Sequence, residues 1–218
     1  MNTSRFLLLA ALLTFLPGLA AAQTAESEPD PNRPGAKRPG FYLAIDVGGI
    51  SYDLDDVVEE RFTAQGINLS SSASGGGLVF GYSWRNEFAL ELEFYGSGVS
   101  TGRTDVEAGF GQMDIGVRVP LLPQNRIAPY LSGHLGGVVL GFSGDFVNDR
   151  AVYGGSTGLG AGVEIHLGRR WALDFGYRFS LVDFKGETIE ISGSPDQEID
   201  IDGTGRVHRW ALRTTFSF

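Results

Sequence analysis

The sequence predicts an all-β protein, an eight-stranded antiparallel up-and-down transmembrane β-barrel. Three observations carry that expectation. Eight segments between residues 41 and 218 place apolar residues opposite polar or small ones with a period of two. The connections between them alternate between short and long. The one long apolar run, Phe6–Leu16, is too short for a spanning helix, which needs ~20 apolar residues. An exported chain without such a helix crosses a membrane only as strands, closed so that no backbone group is left unpaired in hydrocarbon.

The bulk composition sets the bounds. The 218 residues suffice for one domain and a tail. Apolar residues make up 42%, an ordinary share that leaves no room for a helical membrane bundle. Glycine is abundant, at 32 residues, without collagen spacing. Cysteine is absent, so an exported protein of this size is held by packing or by closed hydrogen bonding. A formal net charge of −9 argues against nucleic acid as a partner.

The chain begins with an export signal. Arg5 precedes Phe6–Leu16, which only Thr14 interrupts; Pro17-Gly18 breaks the run and Ala20-Ala21-Ala22 follows. This predicts a signal peptide over residues 1–22, cut between Ala22 and Gln23. Residues 23–40 hold four prolines and almost nothing apolar. They bury too little surface to offset chain entropy and read as a disordered periplasmic lead-in.

The barrel domain, residues 41–218, opens with Phe41–Tyr52. Phe41, Leu43, Ile45 and Val47 share one face, with Asp46 on the other. Ala73–Trp84 is second, with Leu78, Phe80, Tyr82 and Trp84 on the apolar face. Glu87–Gly96 has the clearest alternation, Phe88, Leu90, Leu92 and Phe94 against Ala89, Glu91, Glu93 and Tyr95. Thr104–Pro120 sets Met113, Ile115, Val117 and Val119 against Gln112, Asp114, Gly116 and Arg118. Ile127–Phe142 is apolar on both sides, so its faces stay unassigned. Gly154–Leu167 sets Leu159, Val163 and Ile165 against glycines and Glu164. Trp171–Phe184 sets Leu173, Phe175, Tyr177, Phe179 and Leu181 against Asp174, Gly176, Arg178 and Ser180. Gly205–Phe218 closes the series, with Trp210, Leu212, Phe216 and Phe218 opposite Arg209, Ala211 and Arg213.

Arg85-Asn86, Leu122–Asn125 and Gly168–Arg170 read as tight turns. Asp53–Ser72, Ser97–Arg103, Ser143–Tyr153 and Lys185–Thr204 read as long polar loops. With a periplasmic N-terminus, parity places the turns in the periplasm and the loops outside the cell. Phe41, Trp84, Phe88, Trp171, Phe216 and Phe218 gather at the turn end; Phe94, Phe142, Phe179 and Phe184 gather toward the loops. Two such groups suggest interfacial girdles.

Taken together, the signal, proline-rich lead-in, eight alternating strands and terminal Phe218 resemble the small outer-membrane β-barrel family. That group includes the transmembrane domain of outer membrane protein A and the opacity proteins. The resemblance implies residence in the outer membrane of a Gram-negative bacterium, among lipid and lipopolysaccharide, as a monomer. Phe216-x-Phe218 is similar to the family's assembly signal, which implies the barrel-insertion machinery as a partner; Arg213 stands where that signal often carries glycine.

Alternation points Asp46, Glu91, Glu93, Asp114, Arg118, Glu164, Asp174, Arg178, Arg209 and Arg213 inward. Eight strands enclose only enough room for side chains. An unpaired charge buried there costs several kcal/mol, so a carboxylate–guanidinium lattice is expected, with Arg213 near Asp174 or Asp46. The inward glycines leave space for the arginines.

The functional expectation is a structural or surface-contact role: envelope integrity, adhesion or host contact, with an extracellular or host ligand met by the loops. The alternative is a narrow porin or ion channel. A lipid-A-modifying enzyme would need a histidine placed to activate a serine. Here only Ser132 and His134 share a face, so the chain is read as non-enzymatic. A secreted lipocalin-like carrier would need apolar residues inside and polar ones outside. The acidic loops read as solvated rather than as calcium sites, and no cofactor is implied.

Overall fold

The structure, a computed structural model, describes residues 39–64, 66–84, 87–123, 125–144, 147–190 and 197–218. The expected signal peptide with its Ala22/Gln23 cut, most of the lead-in and the Arg85-Asn86 turn lie outside the described residues.

Eight strands form one closed ring in sequence order, β1 (Gly40–Leu54), β2 (Ser72–Trp84), β3 (Phe88–Val99), β4 (Val106–Pro120), β5 (Ile127–Gly144), β6 (Val147–His166), β7 (Trp171–Glu190) and β8 (Gln197–Ser217). Every neighbouring pair is antiparallel, and β1 pairs with β8 from Tyr42↔Ser217 to Leu54↔Gly205. Closure abolishes the sheet edge along this common length, so each backbone donor there has a partner.

Side-chain direction follows the predicted alternation. Leu92, Phe175 and Leu212 are 37%, 60% and 49% exposed, while Glu91, Asp174 and Arg213 are 2%, 2% and 4%. That is a greasy exterior around a charged interior, the inverse of a lipocalin-like carrier. At the turn end, Phe41 meets Tyr82 with centroids 4.9 Å apart, Trp84 stacks on Phe88 at 4.7 Å, and Phe216 joins Trp171 at 4.8 Å. Tyr82, Trp84 and Trp171 carry a polar atom on an apolar ring, which suits a membrane–water boundary.

Several expectations are corrected. The stretches Ser143–Tyr153 and Lys185–Thr204 are mostly strand, leaving only residues 145–146 and 191–196 between paired elements. Their outward positions are polar, for instance Lys185 and Asp202, because they stand above hydrocarbon, and the apolar alternation therefore stops before the ladder does. The loop Asp53–Ser72 contains a helix, α1 (Asp56–Thr63). Phe142 and Phe184 do not join an outer girdle; they are buried inside the ring. Phe184 is separated from outward Leu181 by three residues, an odd step that places it on the inward face. On β5 the inward set is Ala128, Tyr130, Ser132, His134, Val138, Leu140 and Phe142, with Ile127, Leu131, Leu135 and Val139 outside. Both sets are largely apolar because the loop-ward half of the lumen is itself apolar.

Candidate functional site

The interior divides into two zones. The first is ionic. The Arg213 guanidinium donates to both oxygens of Asp46 across the β1–β8 seam, at 2.6 and 2.9 Å, and to Glu91 at 3.1 Å and Glu93 at 2.8 Å on β3. Arg118 on β4 donates to Asp174 at 2.6 Å and lies 3.5 Å from Glu164. Its Nε stands 3.0 Å from Glu91, an ion-pair contact whose direction makes no hydrogen bond. Arg178 reaches Glu93 at 2.6 Å and Glu91 at 3.4 Å, and Arg209 pairs with Glu93. All ten residues expected to point inward thus lie in the lumen, and the pairs between them join β1, β3, β4, β6, β7 and β8. Arg213 takes Asp46; in register it stands opposite both Asp46 and Asp174.

Six carboxylates face four guanidiniums here, so neutral donors hold part of the surplus. Asp114 accepts from Gln112 Nε2 at 2.9 Å and Ser156 Oγ at 3.1 Å, with Arg178 at 3.9 Å. Tyr42 donates to Glu91 at 2.7 Å and Tyr130 donates to Asp174 at 2.9 Å. Arg118 lies over the Tyr130 ring at 4.1 Å and Arg209 over the Tyr95 ring at 4.7 Å, adding cation–π attraction. Breaking one member of such a set leaves buried charge uncompensated, at a cost of about 3–5 kcal/mol.

These tyrosines were not legible as partners, and they also correct the expected use of the inward glycines. A Cβ at Gly81 would stand 2.1 Å from the Tyr42 ring, one at Gly162 would stand 2.4 Å from the Tyr130 hydroxyl, and one at Gly158 would stand 2.6 Å from His134 Nε2. Of the sites with such close contacts, Gly160 adjoins an arginine, with Arg178 Cγ at 2.9 Å. Gly81, Gly158 and Gly162 accommodate rings, whereas Gly75, Gly77 and Gly154 face the neighbouring strand's backbone. His134 itself hydrogen-bonds Ser180 on β7 at 2.9 Å, not Ser132, although all three face the lumen.

The second zone fills the loop-ward half with buried apolar residues, among them Ile50, Phe110, Leu140, Phe142, Phe184 and Val207. Helix α1 completes it. Val58, Phe62 and the following Ile67 are 0%, 1% and 0% exposed, and Phe62 lies 5.3 Å from Phe142 between ring centroids. The helix forms because Asp55 caps it, accepting from Val58 N at 3.1 Å, with Asp56 and Glu59 favourably placed in the first turn. Asp55 also accepts from Thr204 N and Oγ at 2.5 and 3.0 Å, which fastens α1 to β8. Buried Glu187 accepts from Arg61 at 3.3 Å and Arg150 at 2.9 Å, fastening it to β6 and β7. Sequence reading missed this plug. The i, i+4 pair Val58 and Phe62 behind an Asp cap was the available signal.

A closed antiparallel ring, apolar outside, ionic within and belted by aromatics, is a transmembrane β-barrel of the outer-membrane kind. A family model described as "Outer membrane protein beta-barrel domain" matches residues 8–211, and the chain belongs to that family. It is a bacterial outer-membrane protein. No curated protein matches the sequence. Among solved structures, the chain is similar to Neisserial surface protein A (NspA), with 15% identity, 82% of this chain and 97% of that one covered, and a TM-score of 0.58. It is also similar to the outer membrane protein OprG from Pseudomonas aeruginosa, with 13% identity, 84% and 99% covered, and a TM-score of 0.51. At such identities the likeness speaks for the fold alone.

Proposed function

We propose that this protein is a closed, non-conducting barrel with a structural or surface-contact role: envelope integrity, adhesion or host contact made by its extracellular rim. One observation carries the reading. Packed side chains stand in both halves of the interior, an ion-pair lattice in one and an apolar plug under α1 in the other. A conducting pore needs a continuous wet path, and seventeen buried side chains of the plug stand across it. What remains available to other molecules is the outside: lipid and lipopolysaccharide around the wall, and an extracellular or host ligand at the rim.

Recording from purified protein in a planar bilayer tests the first half of the reading, and steady single-channel conductance would reject it. Removal of α1 and of the upper β7–β8 hairpin, scored for adhesion, serum survival and permeability, tests the second. Unchanged scores in all three would reject a rim function.

We read the chain as non-enzymatic. The histidine–serine contact among the described residues, His134 with Ser180, is buried inside the ring rather than turned toward lipid. Mass spectrometry of lipid A from expressing cells, showing lost or added acyl chains, would overturn that. Export by a cleaved signal over residues 1–22, cut between Ala22 and Gln23, and a periplasmic lead-in over 23–40 complete the proposal; N-terminal sequencing of the mature protein checks both. Phe216 and Phe218, whose rings meet at 5.2 Å beside Trp171, are proposed as the assembly signal for the barrel-insertion machinery.

A further inference from the structure

Above the membrane the ring is no longer closed. β1 ends at Leu54, opposite Gly205, and the chain turns away through Asp55 into α1. β8 starts earlier, at Gln197; Gln197–Asp200 and Gly203 pair with β7, and a register shift at Phe184/Gly186 leaves Ile201 and Asp202 without a residue opposite. Among the described residues, nothing pairs with the other side of this stretch. At ~3.3 Å per residue, seven residues present ~23 Å of bare strand edge.

The backbone direction along that edge follows from Thr204. Its C=O accepts from Asp55 N at 3.0 Å and its N–H donates to Asp55 Oδ2, so both point to the β1 side. Buried and exposed residues alternate without a break along β8 through the register shift, so the two-residue period gives Asp202, Asp200 and Glu198 the same direction. These three residues therefore offer their amides and carbonyls to the bare side; on the outer face Glu198 accepts from the Tyr153 hydroxyl and Asp202 from Lys185, which leaves the exposed Asp200 carboxylate between them. Exposed Asp53, Asp56 and Glu59, where β1 gives way to α1, add to the same charge. Of the nearby cations, Lys185 pairs with Asp202 and Asp183 and Arg61 with Glu187, while exposed Arg206 stands opposite Asp53 in register and offsets its charge. Soluble proteins commonly block an edge with lysine or proline; between Gln197 and Gly203 there is neither. The inward neighbours are Ile199 and Ile201, half-buried and buried.

We infer that residues 197–203 dock an extended basic polypeptide, which adds to β8 as a further strand. Main-chain hydrogen bonds to Glu198, Asp200 and Asp202 supply affinity. A lysine or arginine lies against Asp200, its neighbours two residues away share Glu198 and Asp202 with Tyr153 and Lys185, and small apolar residues lie on the side of Ile199 and Ile201. This deepens the surface-contact reading and rests on it, since it names the chemistry of a partner at the rim.

The test uses the full-length barrel in detergent micelles and a capped ten-residue peptide alternating lysine and valine. Saturable binding is expected, with slowed amide exchange at Glu198, Asp200 and Asp202. Asp200→Pro removes one outward N–H without touching the β7 ladder and is expected to weaken binding at least tenfold; Asp149→Asn, two strands away, is expected to leave it unchanged. Heat-modifiable migration verifies that each variant is folded. An alternate-residue N-methylated peptide that binds equally well would overturn the proposal, because charge alone would then account for binding. So would no binding of the alternating peptide, or calcium uptake at the rim without it. Cell adherence is measured on the same Asp200→Pro variant and on the α1 deletion. Adherence that both changes leave intact rejects the surface-contact reading, whereas failed peptide binding with adherence still dependent on α1 rejects the edge alone.

Discussion

The ring of Tyr42 occupies the space that a side chain on Gly81 would fill. An ideal Cβ there would lie 2.1 Å from Tyr42 Cζ, and the displaced hydroxyl is the one that donates to Glu91 at 2.7 Å. A methyl at this position therefore disturbs packing and the charge lattice together. Gly81→Ala is expected to destabilise the barrel by about 1–3 kcal/mol, the usual cost of overpacking. Tyr42→Phe removes only the hydrogen bond and should cost less. The urea midpoint of the heat-modifiable band ranks the two, and an equal or reversed order refutes the coupling.

Arg213 serves three carboxylates at once. Arg213→Ala leaves Asp46, Glu91 and Glu93 without it, and a loss of about 3–5 kcal/mol is expected, as for a broken buried pair. Breaking a surface pair, by Arg103→Ala beside Asp105, is expected to cost far less, because water screens it. Urea unfolding in one detergent compares them directly. Similar losses would show that the lattice is not under strain of desolvation.

Asp55 caps α1 and accepts from Thr204. Asp55→Ala should release the lid by about 0.5–2 kcal/mol, the range for a lost N-cap. Amide exchange over residues 56–64 should speed up while the membrane-spanning ladder stays protected. Uniform acceleration over the whole barrel would contradict a locally fastened lid.

Arg103 donates to Asp105 at 3.0 and 2.5 Å in the β3–β4 connection, and that bond, first among the causes, lowers the Asp105 pKa. A depressed carboxyl pKa means the pair is intact above the ordinary aspartate value and is lost as pH falls through the lower one. Titration of the Asp105 carboxyl carbon should give a midpoint below the ordinary ~3.9. Arg103→Ala should return it there, and an unmoved midpoint would show the pair does not persist in solution.

The exterior of the barrel was plain in the sequence because hydrocarbon imposes one rule on every strand. Leu92 and Phe94 beside Glu91 and Glu93 could be sorted without knowing any neighbour. The ten lumen charges followed from the same parity. What parity could not give was their company. Arg118 meets Asp174 across 56 residues of chain, and the Tyr42 ring needs a glycine on another strand. Strand extents failed for a different reason: above the bilayer, Lys185 and Asp202 are free to face water, and no solvent contrast marks where pairing stops. The plug was hidden because its helix, eight residues long, sits in a segment that reads as an acidic loop.

The seam between the first and last strands has a consequence for biogenesis. Two of the four guanidiniums, Arg209 and Arg213, arrive on β8, while Asp46, Glu91, Glu93 and Asp114 belong to β1, β3 and β4. A nascent sheet lacking its final strand therefore carries stranded anionic cargo facing the gap. Arrival of Arg209 and Arg213 cuts the surplus of lumen carboxylates from four to two, and that drop gives the cell a physical criterion for telling a completed molecule from an aborted one.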